Sequence, residues 1–392
     1  MKNVKSVIIS FISLLFVGCS DIGHPNSHYA GKIIRVDVNE NKKLNPQKEY
    51  SIVKMIPLQT TTDCLIQEIS KLYFTDNYII VFDQHHNNIF LFDNEGKFVR
   101  KIGVKGQGPT EYNTFNDIIY DPNTQLIYAF ERFRSQMFIY NLKGELIKCV
   151  KSKYMFNSFV KCKYGYWIYS CFKQNNPNNS FLMLVDENLS EIKQEYFPHA
   201  DITTVQFTPR FTINQDNGKI YFYYDYSDQI WELSDKAESV YKVDFGDLSL
   251  PYQEMKRTTQ NKKNDKITHN NKHLGFISNL LISNELIYFN CMESGLNKSV
   301  SQYSVKYDFN RKRIDIYGST TMGNEIIPAS YTKPLLIKEN TFVYAIEPQT
   351  MYPHEFNILK NLIGHVSEDD NPILLFLKPQ TSSIEIQTSK EL

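Results

Sequence analysis

The chain contains the segment Tyr78-Ile-Ile-Val-Phe-Asp83, and ten residues after its start comes a second segment, Asn88-Ile-Phe-Leu-Phe-Asp93. Both are of strand length, rich in β-branched and aromatic residues, and apolar at almost every position. A strand with one solvated face would alternate apolar and polar residues, so a continuous apolar run predicts a strand that is covered on both faces.

The first of these segments has five counterparts along the chain, whose starts are separated by 40 to 67 residues. They are Leu126–Glu131, Tyr166–Cys171, Lys219–Tyr224, Leu286–Cys291 and Thr341–Ile346. A second strand follows each of the six: Asn88–Asp93, Gln136–Asn141, Phe181–Asp186, Gln229–Ser234, Gln302–Tyr307 and Ile373–Lys378. A third, more polar strand comes next: Lys97–Ile102, Glu145–Val150, Glu191–Phe197, Glu238–Phe245, Arg313–Tyr317 and Ser383–Gln387.

A further strand precedes the first member of each set, as at Ile69–Phe74 and Asp117–Tyr120. Four antiparallel strands repeated six times are typical of a β-propeller. The sequence therefore predicts an all-β chain that forms one six-bladed β-propeller, with one candidate helix at His354–Val366, where apolar residues recur every three or four positions.

Two strand-like segments, Ile33–Val38 and Ile52–Leu58, lie ahead of the first repeat. A ring of blades must close or leave strand edges unpaired. We therefore expect Ile52–Leu58 to complete the last blade by pairing with chain from the C-terminus.

In an antiparallel blade with strands a to d, the b–c and d–a connections share one face of the ring. The long insertions all belong to those two classes. Between b and c they are Phe172–Ser180, Met292–Ser301 and Glu347–Pro372, and between d and a they are Gly103–Phe115, Pro198–Thr208, Asp247–Gly275 and Ser319–Thr332. Because loops on a rigid scaffold often carry function, this face is the candidate binding face. The alternative is that a propeller tolerates insertions on this face for topological reasons alone, without any binding role.

Polar residues gather where the b strands end on that face. They are Asp83, His85, His86, Glu131, Arg132, Arg134, Asp225, Asp228 and Glu347. Converging around an axis, such groups could bind a sugar or a cation, yet Asp at strand ends also commonly satisfies turn amides. No catalytic motif, metal-ligand spacing or cofactor motif accompanies them, so we predict no catalytic residue, no metal site and no cofactor.

The N-terminus has the order of an export signal. Lys2 and Lys5 precede an apolar run from Val7 to Val17, which is too short to span a bilayer, and Phe16-Val17-Gly18-Cys19 resembles a bacterial lipobox. We expect residues 1–18 to be a signal peptide, Cys19 to be the lipidated residue, residues 19–28 to form a tether and residues 29–392 to form the propeller. Localisation would be the bacterial cell envelope, with the outer membrane favoured.

Charge and cysteine content narrow the function. The 43 basic and 43 acidic residues balance, which argues against nucleic-acid binding. Five cysteines follow Cys19, none in a CxxC spacing, so buried free thiols are expected and no disulfide framework is predicted.

Four segments resemble one protein family: Met55–Thr61, Ile89–Phe98, Lys101–Tyr112 and Glu368–Leu374. They look like the six-bladed, NHL-like β-propeller lipoproteins of Bacteroidota, and the resemblance covers the mature chain. The chain departs from the family at Thr110, where a further glycine is usual. The resemblance implies the fold and an export signal but no activity.

The sequence favours a non-catalytic protein that binds a glycan, a peptide or an envelope protein and reaches the membrane through its N-terminal lipid. One alternative is a polysaccharide-active enzyme, which would need a carboxylate pair such as Asp83 and Glu131 within roughly 5–10 Å. Another is a scaffold that binds no small ligand. Oligomeric state is not predicted.

Overall fold

The computed structural model describes residues 31–41, 49–170, 180–198, 211–223, 227–249, 273–294, 302–318 and 333–380. Apart from strands, these residues form the helix α1 (Pro353–Ile363) and single 3-10 turns at Val38–Glu40, Gly246–Leu248 and Pro348–Thr350. The strands are, in chain order, β1 (Lys32–Arg35), β2 (Tyr50–Pro57), β3 (Lys71–Phe74), β4 (Tyr78–Asp83), β5 (Asn88–Asp93), β6 (Phe98–Ile102), β7 (Asp117–Asp121), β8 (Leu126–Glu131), β9 (Gln136–Asn141), β10 (Leu146–Lys151), β11 (Ser158–Cys162), β12 (Gly165–Tyr169), β13 (Ser180–Val185), β14 (Ile192–Pro198), β15 (Phe211–Ile213), β16 (Ile220–Tyr223), β17 (Gln229–Leu233), β18 (Ala237–Asp244), β19 (His273–Ile282), β20 (Leu286–Ser294), β21 (Gln302–Asp308), β22 (Arg313–Gly318), β23 (Leu336–Lys338), β24 (Thr341–Ile346) and β25 (Ile373–Pro379).

The strands form six separate sheets, each a blade of the ring. In order they are β3–β6, β7–β10, β11–β14, β15–β18 with β1, β19–β22, and β23–β25 with β2. Within each blade the consecutive strands a to d pair antiparallel, and strands a of several neighbouring blades contact each other. The fold is therefore the six-bladed β-propeller that the repeats predict.

The continuous apolar runs are explained by packing between blades. Side chains of β4 alternate in direction: Ile79 and Val81 pack with Leu374 of the sixth blade, whereas Ile80 and Phe82 pack with Ile127 of the second. Both faces of a middle strand therefore lie in a core, because a blade is flanked by a blade on either side.

The ring closes through the N-terminal strand, as predicted. Strand β2 pairs antiparallel with β25, from Tyr50 opposite Pro379 to Pro57 opposite Ile373. The outer position of the sixth blade is thus filled by β2, while the segment Ser383–Gln387, predicted as an outer strand, lies outside the described residues.

The segment predicted at Ile33–Val38 has a role that the sequence did not indicate. As β1 it adds a fifth strand to the fourth blade, pairing parallel with β18 from Lys32 opposite Tyr241 to Arg35 opposite Asp244. The Lys32 ammonium lies 4.4 Å from the centre of the Tyr307 ring, which joins this strand to the fifth blade.

The two faces of the disc differ in their connections. We call the face with the a–b and c–d connections the smooth face, because each of these connections has six residues or fewer. We call the other the loop-rich face, since its b–c and d–a connections include residues 347–372 and 245–272. The strand order places both ends of every long connection predicted from the sequence at the loop-rich face, although residues 171–179, 199–210, 250–272, 295–301 and 319–332 of these connections lie outside the described residues.

Helix α1 lies on the loop-rich face and is shorter than predicted. It begins at Pro353 and ends at Ile363, because Gly364 takes a positive φ of 82° and ends it before the predicted limit at Val366. At its start the Tyr352 amide donates a 2.9 Å hydrogen bond to Oε2 of Glu355.

The four described cysteines are free thiols, and the predicted burial holds for two of them, while Cys171 lies outside the described residues. Cys64 and Cys291 are buried, whereas Cys149 and Cys162 are half-buried. Burial raises the pKa of Cys291 to about 12, so this thiol remains protonated at neutral pH.

Candidate functional site

Exposed large apolar side chains are distributed unevenly between the two faces. Among the described residues that lie in connections, those exposed are Leu65, Val104, Phe133, Tyr352 and Leu362, and all five belong to the loop-rich face. The remaining ones, such as Ile147, lie on strands. The loop-rich face therefore combines the long connections with the apolar surface.

Asp83 ends strand b of the first blade and is enclosed, with 0% of its surface exposed. Its Oδ2 accepts a 3.0 Å hydrogen bond from the Gln67 amide and lies 3.0 Å from Nδ1 of His86. Its Oδ1 accepts a bond from the His86 amide at 3.1 Å. Both carboxylate oxygens are thus used to fasten the turn and the connection that precedes the blade.

Glu131 occupies the equivalent position in the second blade and is 1% exposed. Its Oε2 accepts a hydrogen bond from the Asn113 amide at 3.2 Å and an ion-paired bond from Nη2 of Arg134 at 2.9 Å. The same arrangement recurs in the two blades: a carboxylate at the end of strand b, an amide from the preceding connection, and a side chain three residues on.

These contacts favour the turn-forming interpretation of the two carboxylates. Neither presents a surface to a ligand, so Asp83 and Glu131 contribute to the face by shaping it. A hydrolase that used them as an acid and a nucleophile would need both to reach the sugar. The described geometry thus provides no support for that enzymatic alternative.

The turn that follows Glu131 displays an aromatic ring. Phe133 is 73% exposed, and the Arg132 guanidinium lies 5.0 Å from its ring centre. The Arg132 amide donates a 2.7 Å hydrogen bond to Oδ1 of Asn116, while Arg134 also donates to the Glu111 carbonyl. The turn is consequently held from both sides, and the exposed ring sits on a preorganised support.

The other sequence-predicted residues are spread over the face. His85 is exposed and meets His86 edge-on, with ring centres 5.2 Å apart. Asp228 pairs with Lys242 of an outer strand at 3.3 Å, away from the first two blades. Burial, reinforced by the charge of Glu68, raises the pKa of Glu347. Asp225 and Cys19 lie outside the described residues.

Sequence reasoning missed an ion pair between inner strands. Nζ of Lys71, in the first blade, lies 2.5 Å from Oδ1 of Asp117 in the second, and Oδ2 of Asp117 accepts a 3.1 Å hydrogen bond from the Phe159 amide in the third. Burial raises the pKa of Asp117, although the Lys71 ammonium opposes that rise. Burial by itself would lower the pKa of Lys71, but the Asp117 carboxylate raises it on balance. The sequence feature that could have indicated this ion pair is Asp117, a carboxylate at the first position of an apolar strand.

A cavity of 650 Å³ lies at the rim of the disc, where the end of β1 meets the end of β18. Arg35, Asp37, Asp244 and Lys312 are among its lining residues. Asp247 and Leu248, at the start of the predicted d–a insertion, also line it, whereas none of the polar residues predicted at the ends of the b strands does.

The described part of the chain contains neither a metal cluster nor a membrane-spanning helix. Within it, no group of three or more His, Cys, Asp or Glu side chains is placed to hold a metal ion. Across the same residues, no helix has the length and apolar character needed to span a bilayer.

Solved structures of other proteins share the fold of this chain. No curated protein matches the chain. A Bacteroides fragilis protein described as exported shares the fold with a TM-score of 0.73 at 16% identity, over 89% of this chain and 100% of that one. A Bacteroides vulgatus member of the DUF4221 family does so with a TM-score of 0.53 at 13% identity, over 86% of this chain and 100% of that one. The family model described as domain of unknown function DUF4934 matches residues 32–378, and the chain therefore belongs to this family.

Proposed function

We propose that this chain is an exported, lipid-anchored propeller whose loop-rich face binds a partner protein of the cell envelope without catalysis. The observation that carries the proposal is the placement of Leu65, Val104, Phe133, Tyr352 and Leu362. These exposed apolar side chains all lie in connections of one face. Connections displayed by a rigid scaffold commonly carry binding function, and these are the connections that expose apolar side chains.

Phe133 is the best candidate for an anchor within that face. Protein interfaces concentrate their energy in a few aromatic and arginine residues, and Phe133 is exposed beside Arg132. Burying a phenylalanine side chain stabilises a complex by about 1.5–3 kcal/mol, which corresponds to a roughly tenfold to hundredfold gain in affinity. Because the turn is already fixed, little conformational entropy is lost on binding.

A protein partner is favoured over a glycan because of how the apolar residues are distributed. Leu65 precedes the first blade, Phe133 belongs to the second and Leu362 to the sixth, so the apolar surface is dispersed over the face. Protein interfaces are broad, whereas small ligands need a concave pocket. The 650 Å³ cavity beside β1 is lined by none of these exposed apolar residues.

Export and lipid attachment are supported by the N-terminal sequence. Two lysines, an apolar run and Cys19 follow the order of a lipoprotein signal. The fold is also that of a Bacteroides fragilis protein described as exported. Globomycin treatment followed by mass spectrometry tests this part, with a diacylglycerol on Cys19 expected in untreated cells.

A photocrosslinking amino acid at position 133 of the full chain, expressed in its own host, tests the binding face. We expect a specific adduct at this position, and the same substitution at Asn123 in a smooth-face turn should give none. The identified protein is then purified for affinity measurement. Phe133→Ala should weaken its binding roughly tenfold or more, whereas Ile147→Ala, on an outer strand, should not. Equal effects of the two changes would contradict the proposal.

A further inference from the structure

The direction of β1 fixes which end of this strand lies at the smooth face. Strand β18 starts after the smooth-face turn at residues 234–236 and runs to Asp244 at the loop-rich face. Strand β1 pairs with it in parallel, so β1 runs the same way. Lys32, the first residue of β1, therefore lies at the smooth-face end of the fourth blade.

Contacts of Lys32 agree with this direction. Its ammonium lies 4.4 Å from the centre of the Tyr307 ring and 5.5 Å from that of Phe309. Phe309 belongs to a c–d turn of the smooth face and stacks on Tyr241, with ring centres 5.9 Å apart. Lys32 is thus held at the rim between the fourth and fifth blades, next to a smooth-face turn.

The length of chain between Cys19 and Lys32 limits where a lipid can sit. Residues 20–31 could span roughly 40 Å when fully extended, and as a flexible chain they would typically span about 20 Å. The blades have a similar thickness, since strands of about six residues rise by ~3.3 Å per residue. A tether of this reach leads directly to the smooth face, whereas placing the loop-rich face on the lipid would require it to turn back over the rim.

We infer that the anchored propeller turns its smooth face toward the membrane and its loop-rich face away from it. This inference rests on the lipid anchor of the proposed function and extends it. The partner of the loop-rich face must then project from the aqueous side, about one disc thickness beyond the bilayer surface. A lipid headgroup or a membrane-embedded segment is the wrong kind of partner.

Energy transfer to the membrane tests the orientation. The full acylated chain is reconstituted in phosphatidylcholine vesicles that contain an acceptor-labelled lipid, with a donor dye attached through a single unnatural amino acid. The matched positions are Asn123, in a smooth-face turn, and Gln107, in a loop-rich connection; both are exposed and both adjoin the second blade. We expect transfer from position 123 to be about twofold higher, because the positions lie near opposite ends of blade strands.

A lengthened tether provides the control. Inserting about 30 Gly/Ser residues after Ser27 should let the disc tumble and bring the two transfer efficiencies together. Equal or reversed transfer in the native chain would overturn the inference, and so would a difference that survives the insertion, since adhesion of one face would then set the orientation.

The lipid anchor itself is checked separately. Cys19→Ser should leave the chain unbound to vesicles. Absence of diacylglycerol on Cys19 would overturn the anchor and the orientation together, whereas a bound, acylated chain with equal transfer from both positions would overturn the orientation alone.

Discussion

The smooth face and the loop-rich face use acidic residues in different ways. On the smooth face, Asp216 in the fourth blade accepts hydrogen bonds from the Asn284 amide of the fifth blade at 2.9 Å and the Glu339 amide of the sixth at 2.8 Å. On the loop-rich face, Asp83 and Glu131 each fasten a local turn and the connection before their blade. Asp216 thus joins three blades through their smooth-face turns, whereas Asp83 and Glu131 support the connections of the loop-rich face.

The turns of the two faces show the same contrast. On the smooth face, Oδ1 of Asp93 accepts from the Lys97 amide at 2.8 Å, and Oδ1 of Asn141 accepts from the Glu145 amide at 3.0 Å, so two c–d turns share one design. On the loop-rich face the connections differ in length from blade to blade. These c–d turns of the smooth face thus repeat one design, whereas the connections of the loop-rich face vary from blade to blade.

The largest expected effect concerns the link between the inner strands. Asp117→Ala would remove the carboxylate that pairs with the Lys71 ammonium and accepts from the Phe159 amide, and Lys71 would keep a neutral acceptor, the Ile118 carbonyl. Removing one member of a buried ion pair costs about 3–5 kcal/mol of unfolding free energy. Urea unfolding checks this value.

A matched surface pair makes this test specific. The ammonium of Lys236 lies 2.7 Å from Glu238, and both side chains are exposed. Glu238→Ala should change the unfolding free energy by no more than about 1 kcal/mol. A loss in Asp117→Ala no greater than that in Glu238→Ala would contradict the inner-strand link.

The next effect tests the bridging role of the smooth face. Asp216→Ala should lower the unfolding free energy by about 1.5–3 kcal/mol, because a charged acceptor of two inter-blade amide bonds is lost. Hydrogen exchange should quicken at the Asn284 and Glu339 amides. Asp76→Ala, at an exposed site in another smooth-face turn, is the control and should leave both amides unchanged.

A smaller effect concerns acid stability. Burial alone would raise the pKa of Asp121, but hydrogen bonds from Lys161, Thr124 and the Asn123 amide hold it below its usual value. A carboxyl whose pKa is lowered on folding stabilises the protein above its unfolded pKa, and this contribution is lost as pH falls below about 4.

Asp121→Asn should therefore lower the thermal stability of the protein at neutral pH. In acid, the stabilities of the variant and the native chain should become more similar. Thermal unfolding at pH 7 and at several values below pH 4 measures this difference. A difference in unfolding temperature that stays constant or widens in acid would contradict the proposed coupling between ionisation of Asp121 and stability.

The smallest stability change is expected where the loop-rich face is most exposed. Phe133→Ala should alter the unfolding free energy by less than about 0.5 kcal/mol while weakening partner binding. Phe130, three residues earlier, is fully buried and stacks on Phe156 with ring centres 3.6 Å apart. Phe130→Ala is the contrasting variant and should cost about 3–5 kcal/mol. Comparable losses from the two variants would mean that Phe133 belongs to the core.

Prediction of the site from sequence succeeded in part. The faces followed from strand order, since antiparallel alternation assigns each connection to one side. The turn-fastening interpretation of Asp83 and Glu131 was also available from the sequence. Their amide partners Gln67 and Asn113 were not, because these residues lie in the connections that precede the two blades. The sequence did not indicate that Phe133 is exposed, because a single aromatic residue in a turn belongs to no periodic pattern.

The sequence by itself determined the six repeats, the strands buried on both faces and the closing role of β2, because the apolar pattern records how each residue is covered. Only the tertiary structure decided that β1 joins the fourth blade and that Lys71 meets Asp117. A four-residue parallel strand has too little pattern to name its partner. Two charges on different blades become neighbours only once the ring has set the spacing between inner strands.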